Sequence, residues 1–118
     1  MRILVCGSRY WTDKKCIREW LEKYSKIELD VTVITGGCYG ADNIADGIAK
    51  ELKLKTLVFP AHWEKYGKSA GPIRNKEMLE KGIPDLVLAF QENLQESKGT
   101  KNMIEQAKRF GVDVIIID

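Results

Sequence analysis

Five short apolar runs recur along this chain: Ile3–Cys6, Val31–Thr35, Thr56–Phe59, Leu86–Phe90 and Val114–Ile117. Each is rich in β-branched residues, and none shows the polar alternation of a strand with one face in water. Runs of this kind belong to strands covered on both faces, the condition of a parallel sheet between two helical layers. The intervening segments have helical periodicity. Asp13 is placed to cap a helix running through Trp20 to about Lys23, with Ile17, Trp20, Leu21 and Tyr24 on one face. Asp42 or Asn43 is placed to cap a second, which carries Ile44, Ile48 and Leu52. Pro72 suits the first turn of a third, with Met78 and Leu79 inside and Gly82 at its end. Thr100 is placed to cap a fourth, with Met103, Ile104 and Ala107 inside and Gly111 after it. Strands and helices in this alternation predict an α/β domain with a five-stranded parallel sheet and right-handed crossovers.

Composition narrows the function classes. The chain is 44% hydrophobic and 31% charged, a balance that argues against disorder. No linker-like shift divides its 118 residues, so 1–118 reads as a single domain. With 19 basic and 17 acidic residues the net charge is only +2, and nucleic-acid affinity would need a local patch. Cys6, Cys16 and Cys38 are odd in number and lack C-x-x-C spacing. Together with the lack of a signal-peptide pattern, they point to reduced thiols and a cytoplasmic location. Ile3–Cys6 is far too short for a membrane span, and no membrane contact is expected. His62 is the single histidine and has no second His or Cys nearby, so no metal site is expected. No cofactor is implied either.

In parallel sheets, ligands collect beyond the carboxyl ends of the strands, where the strand order reverses. Every unusual cluster in the chain falls in a loop at those ends. The turn Thr35-Gly36-Gly37-Cys38-Tyr39-Gly40-Ala41-Asp42 leaves one strand and opens a helix. Such a turn gathers free N–H groups at the positive end of a helix dipole, and its glycines let a ligand approach the backbone. The plain alternative is a tight βα turn with no ligand. After the first strand, Gly7 frees the backbone, Ser8 offers a hydroxyl and Arg9 a planar fork suited to phosphate or carboxylate. Tyr10 and Trp11 follow; either stacks on a base or closes the core, and core closure is the better reading of Trp11.

The third loop, from Pro60 to Asn75, is the longest and least periodic. Trp63 and Tyr66 offer a face for a base, with Lys65 and Lys68 near phosphates, or else the aromatics merely hold the loop. Arg74 lies just inside a helix N-terminus, where a cation opposes the dipole. It is explained by an anion facing it, or by an ion pair with Glu77. In the fourth loop Gly99-Thr100 opens another helix, either as a second anion-directed turn or as a simple cap.

Gly7-Ser8-Arg9, Gly36-Gly37-x-x-Gly40-Ala41-Asp42, Trp63, Ala70-Gly71-x-x-Arg74-Asn75-x-x-Met78 and Gly99-Thr100 together resemble the SLOG superfamily of Rossmann-like domains, in its YspA-related branch. The resemblance spans essentially the whole chain. It implies a three-layer Rossmann-like fold that binds a nucleotide or nucleotide-derived ligand, signal or metabolite, at the C-terminal sheet edge. In some members this serves phage–host conflict. The site it implies comprises Gly7, Ser8, Arg9, Gly36, Gly37, Gly40, Asp42, Trp63, Lys68, Arg74, Asn75, Gly99 and Thr100.

The chain is also distantly similar to the cytokinin-activating phosphoribohydrolases of the same superfamily and to its DNA-processing relatives, DNA-processing protein A among them. The phosphoribohydrolases pair an Arg with a Pro-Gly-Gly-x-Gly-Thr-x-x-Glu turn. Here Arg74 and Gly99-Thr100 match, but Glu96-Ser97-Lys98 replaces the upstream glycines and Met103 stands in place of the acid. Glu105 lies about 160° away around the helix. If the chain is an enzyme, Arg74 and Asp42 are its catalytic candidates for cleaving an N-glycosidic bond.

Three functions are therefore expected in order: nucleotide-ligand binding, N-glycosidic hydrolysis of a nucleoside monophosphate or ADP-ribose-like ligand, and single-strand nucleic-acid binding along Lys65, Lys68, Arg74 and Lys76. Nucleic acid is disfavoured by the balanced charge. Trp20, Tyr24 and the Thr100–Phe110 helix carry large apolar groups that predict a homo-oligomer.

Overall fold

The apolar runs form strands β1 (Arg2–Gly7), β2 (Thr32–Thr35), β3 (Lys55–Val58), β4 (Leu86–Phe90) and β5 (Asp113–Ile117). In the computed structural model, which describes residues 1–93 and 97–118, they pair in parallel in the order β3-β2-β1-β4-β5. Glu96, noted above, lies outside the described residues. Helices α1 (Lys14–Ile27) and α2 (Ala41–Glu51) follow β1 and β2, and α4 (Ala70–Gly82) and α5 (Lys98–Arg109) follow β3 and β4. Within the third loop a short helix α3 (Trp63–Tyr66) and a 3₁₀ turn (Gly67–Ser69) precede α4. That segment is more ordered than its lack of periodicity implied, because four residues are too few to display a period.

The sheet is covered on both faces, making a three-layer Rossmann-like α/β fold. Ile3 and Val5 of β1 pack with Ile17, Leu21, Ala45 and Ile48 of α1 and α2. Their neighbours Leu4 and Cys6 point the other way, onto Met78 and Leu79 of α4 and Met103 and Ile104 of α5. Side chains alternate across a strand, so continuous apolarity is what two covered faces require. Only the central strands are fully enclosed: β4 is buried throughout, whereas β3 and β5 are edge strands with Val58 and Ile116 exposed. Trp11 closes the core edge-on against Phe90.

Several helix ends differ from expectation. Asp13 does cap α1, accepting from the Cys16 N–H at 3.1 Å. For α5 the cap is Ser97, whose hydroxyl accepts from the Thr100 N–H. At the end of α4 the left-handed residue is Ile83, not Gly82. A Cβ on Gly82 would stand 3.2 Å from Ile34 Cδ1, so that glycine serves the packing of α4 on β2. On α1, Trp20 and Tyr24 stack on each other beneath the Lys23 ammonium and pack against the core. Among the described residues, no helix is long and apolar enough to cross a membrane.

Candidate functional site

The chain steps outward from β1 to β2 and β3, then crosses back to lay β4 on the other side of β1. The strand order reverses there, between β1 and β4, the position at which parallel sheets of this kind bind ligands. Ser8 lies at this switch point, nearly buried. Its hydroxyl accepts from the Tyr10 N–H at 3.0 Å and donates to Glu92 Oε1 at 2.9 Å. Gly7, just before it, has no room for a Cβ, which would fall 2.1 Å from the Phe90 carbonyl oxygen. Arg9 is exposed and makes no ion pair among the described residues.

The Gly-rich turn closes on itself more than its sequence suggests. Asp42 does not cap α2; it sits inside the first turn, and its Oδ2 accepts from the N–H of Gly36 at 3.0 Å and of Cys38 at 3.4 Å. The Ala41 N–H donates to the Ser8 carbonyl and the Asn43 N–H to that of Cys38. The resident carboxylate thus occupies part of the space in which an anion was expected. Burial dominates its titration and raises the Asp42 pKa to about 6, against the opposing pull of the two N–H donors and of Arg74. Burial first, and then the Asp42 charge, push the Cys6 thiol up as well.

Two glycines of this turn serve internal packing rather than the open approach expected of them. A Cβ on Gly40, whose φ is +80°, would lie 2.2 Å from the Ser8 carbonyl oxygen. One on Gly36 would lie 2.2 Å from Arg74 Nη1. Gly37 is exposed and left-handed, beside Val58.

Arg74 reaches from α4 into this turn. Its Nη1 donates to the Gly36 carbonyl at 2.8 Å, and both terminal nitrogens face Cys38 Sγ at 3.7 and 3.8 Å. Glu77, the alternative partner weighed above, pairs instead with Lys81. No carboxylate lies within ion-pair distance of Arg74 among the described residues. Arg74 Nε donates to Asn75 Oδ1, and Asn75 Nδ2 donates to the Gly99 carbonyl and to Asn102. The buried Thr100 hydroxyl donates to Gln91 Oε1, so it is spent inside the protein and not presented to a cleft. Hydrogen bonds therefore tie the β2 turn through Arg74, Asn75 and Gly99–Thr100 to the end of β4, and Ser8 with Glu92 joins β4 to β1.

Gly99 differs from the other glycines of the site. It is exposed in the first turn of α5, and a Cβ there would meet nothing within 4 Å. Trp63 is 55% exposed, its ring edge lying over Gly71, and it borders an open hollow of about 520 Å³ with Ala61, His62, Glu64 and Lys65. Lys65 has its ammonium over the Tyr66 ring and Lys68 is exposed. Met103 is core, buried against the β1–β4 face, and Glu105 faces outward beside Arg109.

Glu92, Gln91 and Cys38 were not singled out from sequence. Glu92 carried one usable signal, its position directly beyond a strand end.

Fold and site together define a Rossmann-like domain with a hydrogen-bonded cluster of polar side chains at the switch point of its sheet. The chain belongs to the YspA, cpYpsA-related SLOG family, which it matches over residues 1–66. It is 36% identical over 120 residues to the Gene 61 protein of Mycobacterium phage D29, covering 97% of this chain and 94% of that protein. Among solved structures, DNA processing protein A from Streptococcus pneumoniae superposes with a TM-score of 0.79 at 19% identity, over 99% of this chain. This chain spans 50% of that structure's length. The C-terminal domain of a hydrogenase from Pyrococcus furiosus gives 0.60 at 18% identity, over 98% of this chain and 89% of that one. At these identities the structural likeness concerns the fold.

Proposed function

We propose that the protein binds a nucleotide or nucleotide-derived ligand, a cytoplasmic signal or metabolite, at the C-terminal edge of its sheet. The observation that carries this reading is Arg74: a guanidinium held at the β2 turn by a backbone carbonyl and a thiol, with no carboxylate within ion-pair distance among the described residues. A cation so placed favours an anionic ligand group. Asn75 connects it to the first turn of α5, where Gly99 leaves the backbone open and the helix dipole also favours negative charge. The ligand's phosphate is assigned to this region, with Arg9, the Gly37–Gly40 turn, Trp63 and Lys68 around it. That a relative is phage-encoded supports a ligand of the kind exchanged in phage–host conflict.

Titration calorimetry with nucleoside monophosphates and the matching nucleosides tests this. Arg74→Ala should weaken the monophosphates by about 1.5–3 kcal/mol, roughly ten- to a hundredfold, and spare the nucleosides. Equal loss for both would refute the assignment of the phosphate. Binding is preferred over base release because Met103 is a core residue and Asp42 already accepts two backbone bonds. Free-base release by the unaltered protein, lost in Asp42→Asn, would favour the hydrolase.

A specific observation supports a second reading. Tyr10, Tyr39, Trp63 and Tyr66 are all exposed, and they follow β1, β2 and β3, three neighbouring strands at one sheet edge. Such a rim, with Arg9, Lys65 and Lys68 beside it, suits stacked bases of a single strand. A steep fall of affinity with salt would select this reading, and a shallow one the pocketed nucleotide.

A further inference from the structure

We propose that Glu92, positioned by Ser8, is the ribose-recognising group of the site and selects ribonucleotides over 2′-deoxyribonucleotides; this rests on the nucleotide-binding reading above. The Ser8 hydroxyl, fixed by the Tyr10 N–H it accepts, donates its single proton to Glu92 Oε1. The backbone under Glu92 is anchored independently. The Gln91 N–H donates to the Ile117 carbonyl, and the buried Gln91 side chain accepts from Thr100 and donates to the Asn93 carbonyl. Glu92 is thus exposed yet held at the switch point between β1 and β4, and no cation pairs with it among the described residues.

A carboxylate accepts hydrogen bonds and repels phosphate. The C-terminal edge of the sheet is therefore polarised, with Arg74 and the open first turn of α5 suited to an anion, and Glu92 suited to a group that donates. A ribonucleotide carries both groups: a phosphate at C5′, and two vicinal ribose hydroxyls that can donate to the two oxygens of one carboxylate. An acidic side chain on a ribose hydroxyl is the general solution of nucleotide-binding sheets of this kind, though supplied there from another strand. Removing the 2′-hydroxyl takes away one of the two hydrogen bonds offered to the carboxylate.

The test is calorimetry with AMP, GMP, CMP and UMP and their 2′-deoxy counterparts, on the unaltered protein and on Glu92→Gln. Glu92 is exposed, so the variant should fold, which a thermal melt verifies. The unaltered protein should prefer the ribo form of whichever nucleotide binds by about tenfold, as for one charge-assisted hydrogen bond. Glu92→Gln should reduce that preference to within about twofold, while ionic attraction of the phosphate end persists. Equal binding of ribo and deoxy forms by the unaltered protein, or the same preference in Glu92→Gln, overturns the role of Glu92 and leaves nucleotide binding standing. No binding of any of these nucleotides overturns both.

Discussion

Asp42 should make the fold less stable as pH rises from about 4 through 6, the reverse of the usual behaviour of a hydrogen-bonded carboxylate. Its pKa is about 6 in the folded protein, against 3.8 for the free side chain. Between those values the folded chain keeps a proton that the unfolded chain has released. The stabilisation is therefore complete below the unfolded value, falls across the interval, and is gone above the folded one. The gap corresponds to about 3 kcal/mol in all, of which about 2 kcal/mol falls between about pH 4.5 and pH 7.5. The geometry permits protonation without rupture, because Oδ2 takes both backbone N–H groups and leaves Oδ1 for the proton. Asp42→Asn removes the titration and keeps an oxygen able to accept. Urea unfolding of both proteins at the two pH values isolates the effect, since every other carboxylate is common to them. The advantage of the Asn variant over the unaltered protein should grow by about 2 kcal/mol at the higher pH. A gap that does not change with pH would refute the reasoning, and would mean that Arg74 and the two N–H donors outweigh burial.

Gly40→Ala should cost about 2 kcal/mol or more in urea unfolding, from a positive φ and a Cβ forced onto the Ser8 carbonyl; a loss below about 0.5 kcal/mol would refute this. Gly99→Ala should separate folding from binding: the melting temperature should hold or rise, as Ala exceeds Gly in a helix by about 0.5–1 kcal/mol, while nucleotide affinity falls. Full affinity in that variant would move the phosphate away from the first turn of α5. Light scattering at micromolar concentration should show a homodimer, with half-exposed Phe110 of the α5 end at the contact; a monomer would remove the oligomer expectation.

Much of the fold was legible in the chain because two-sided burial writes itself into composition. Ile3 to Cys6 has to be apolar at every position if alternate residues enter opposite cores, and it is. Asp13 announced the start of α1, since a cap acts within one helical turn. Local signals failed where a neighbour from elsewhere in the chain decided the outcome. Thr56–Phe59 and Val114–Ile117 read like the central strands, yet strand order made them edges. Gly36 and Gly40 read as openings for a ligand, but the spaces beside them are taken by Arg74 and by the β1 turn. Arg74 was conspicuous as a cation at the wrong end of a helix, and only the packing of α4 beside β2 supplied the carbonyl and thiol it meets. The pairing of Ser8 with Glu92 lay furthest from view. It joins residues 84 apart in sequence, and it exists because the chain crosses back to set β4 against β1, a choice made by the burial of the whole sheet and by no residue near either partner.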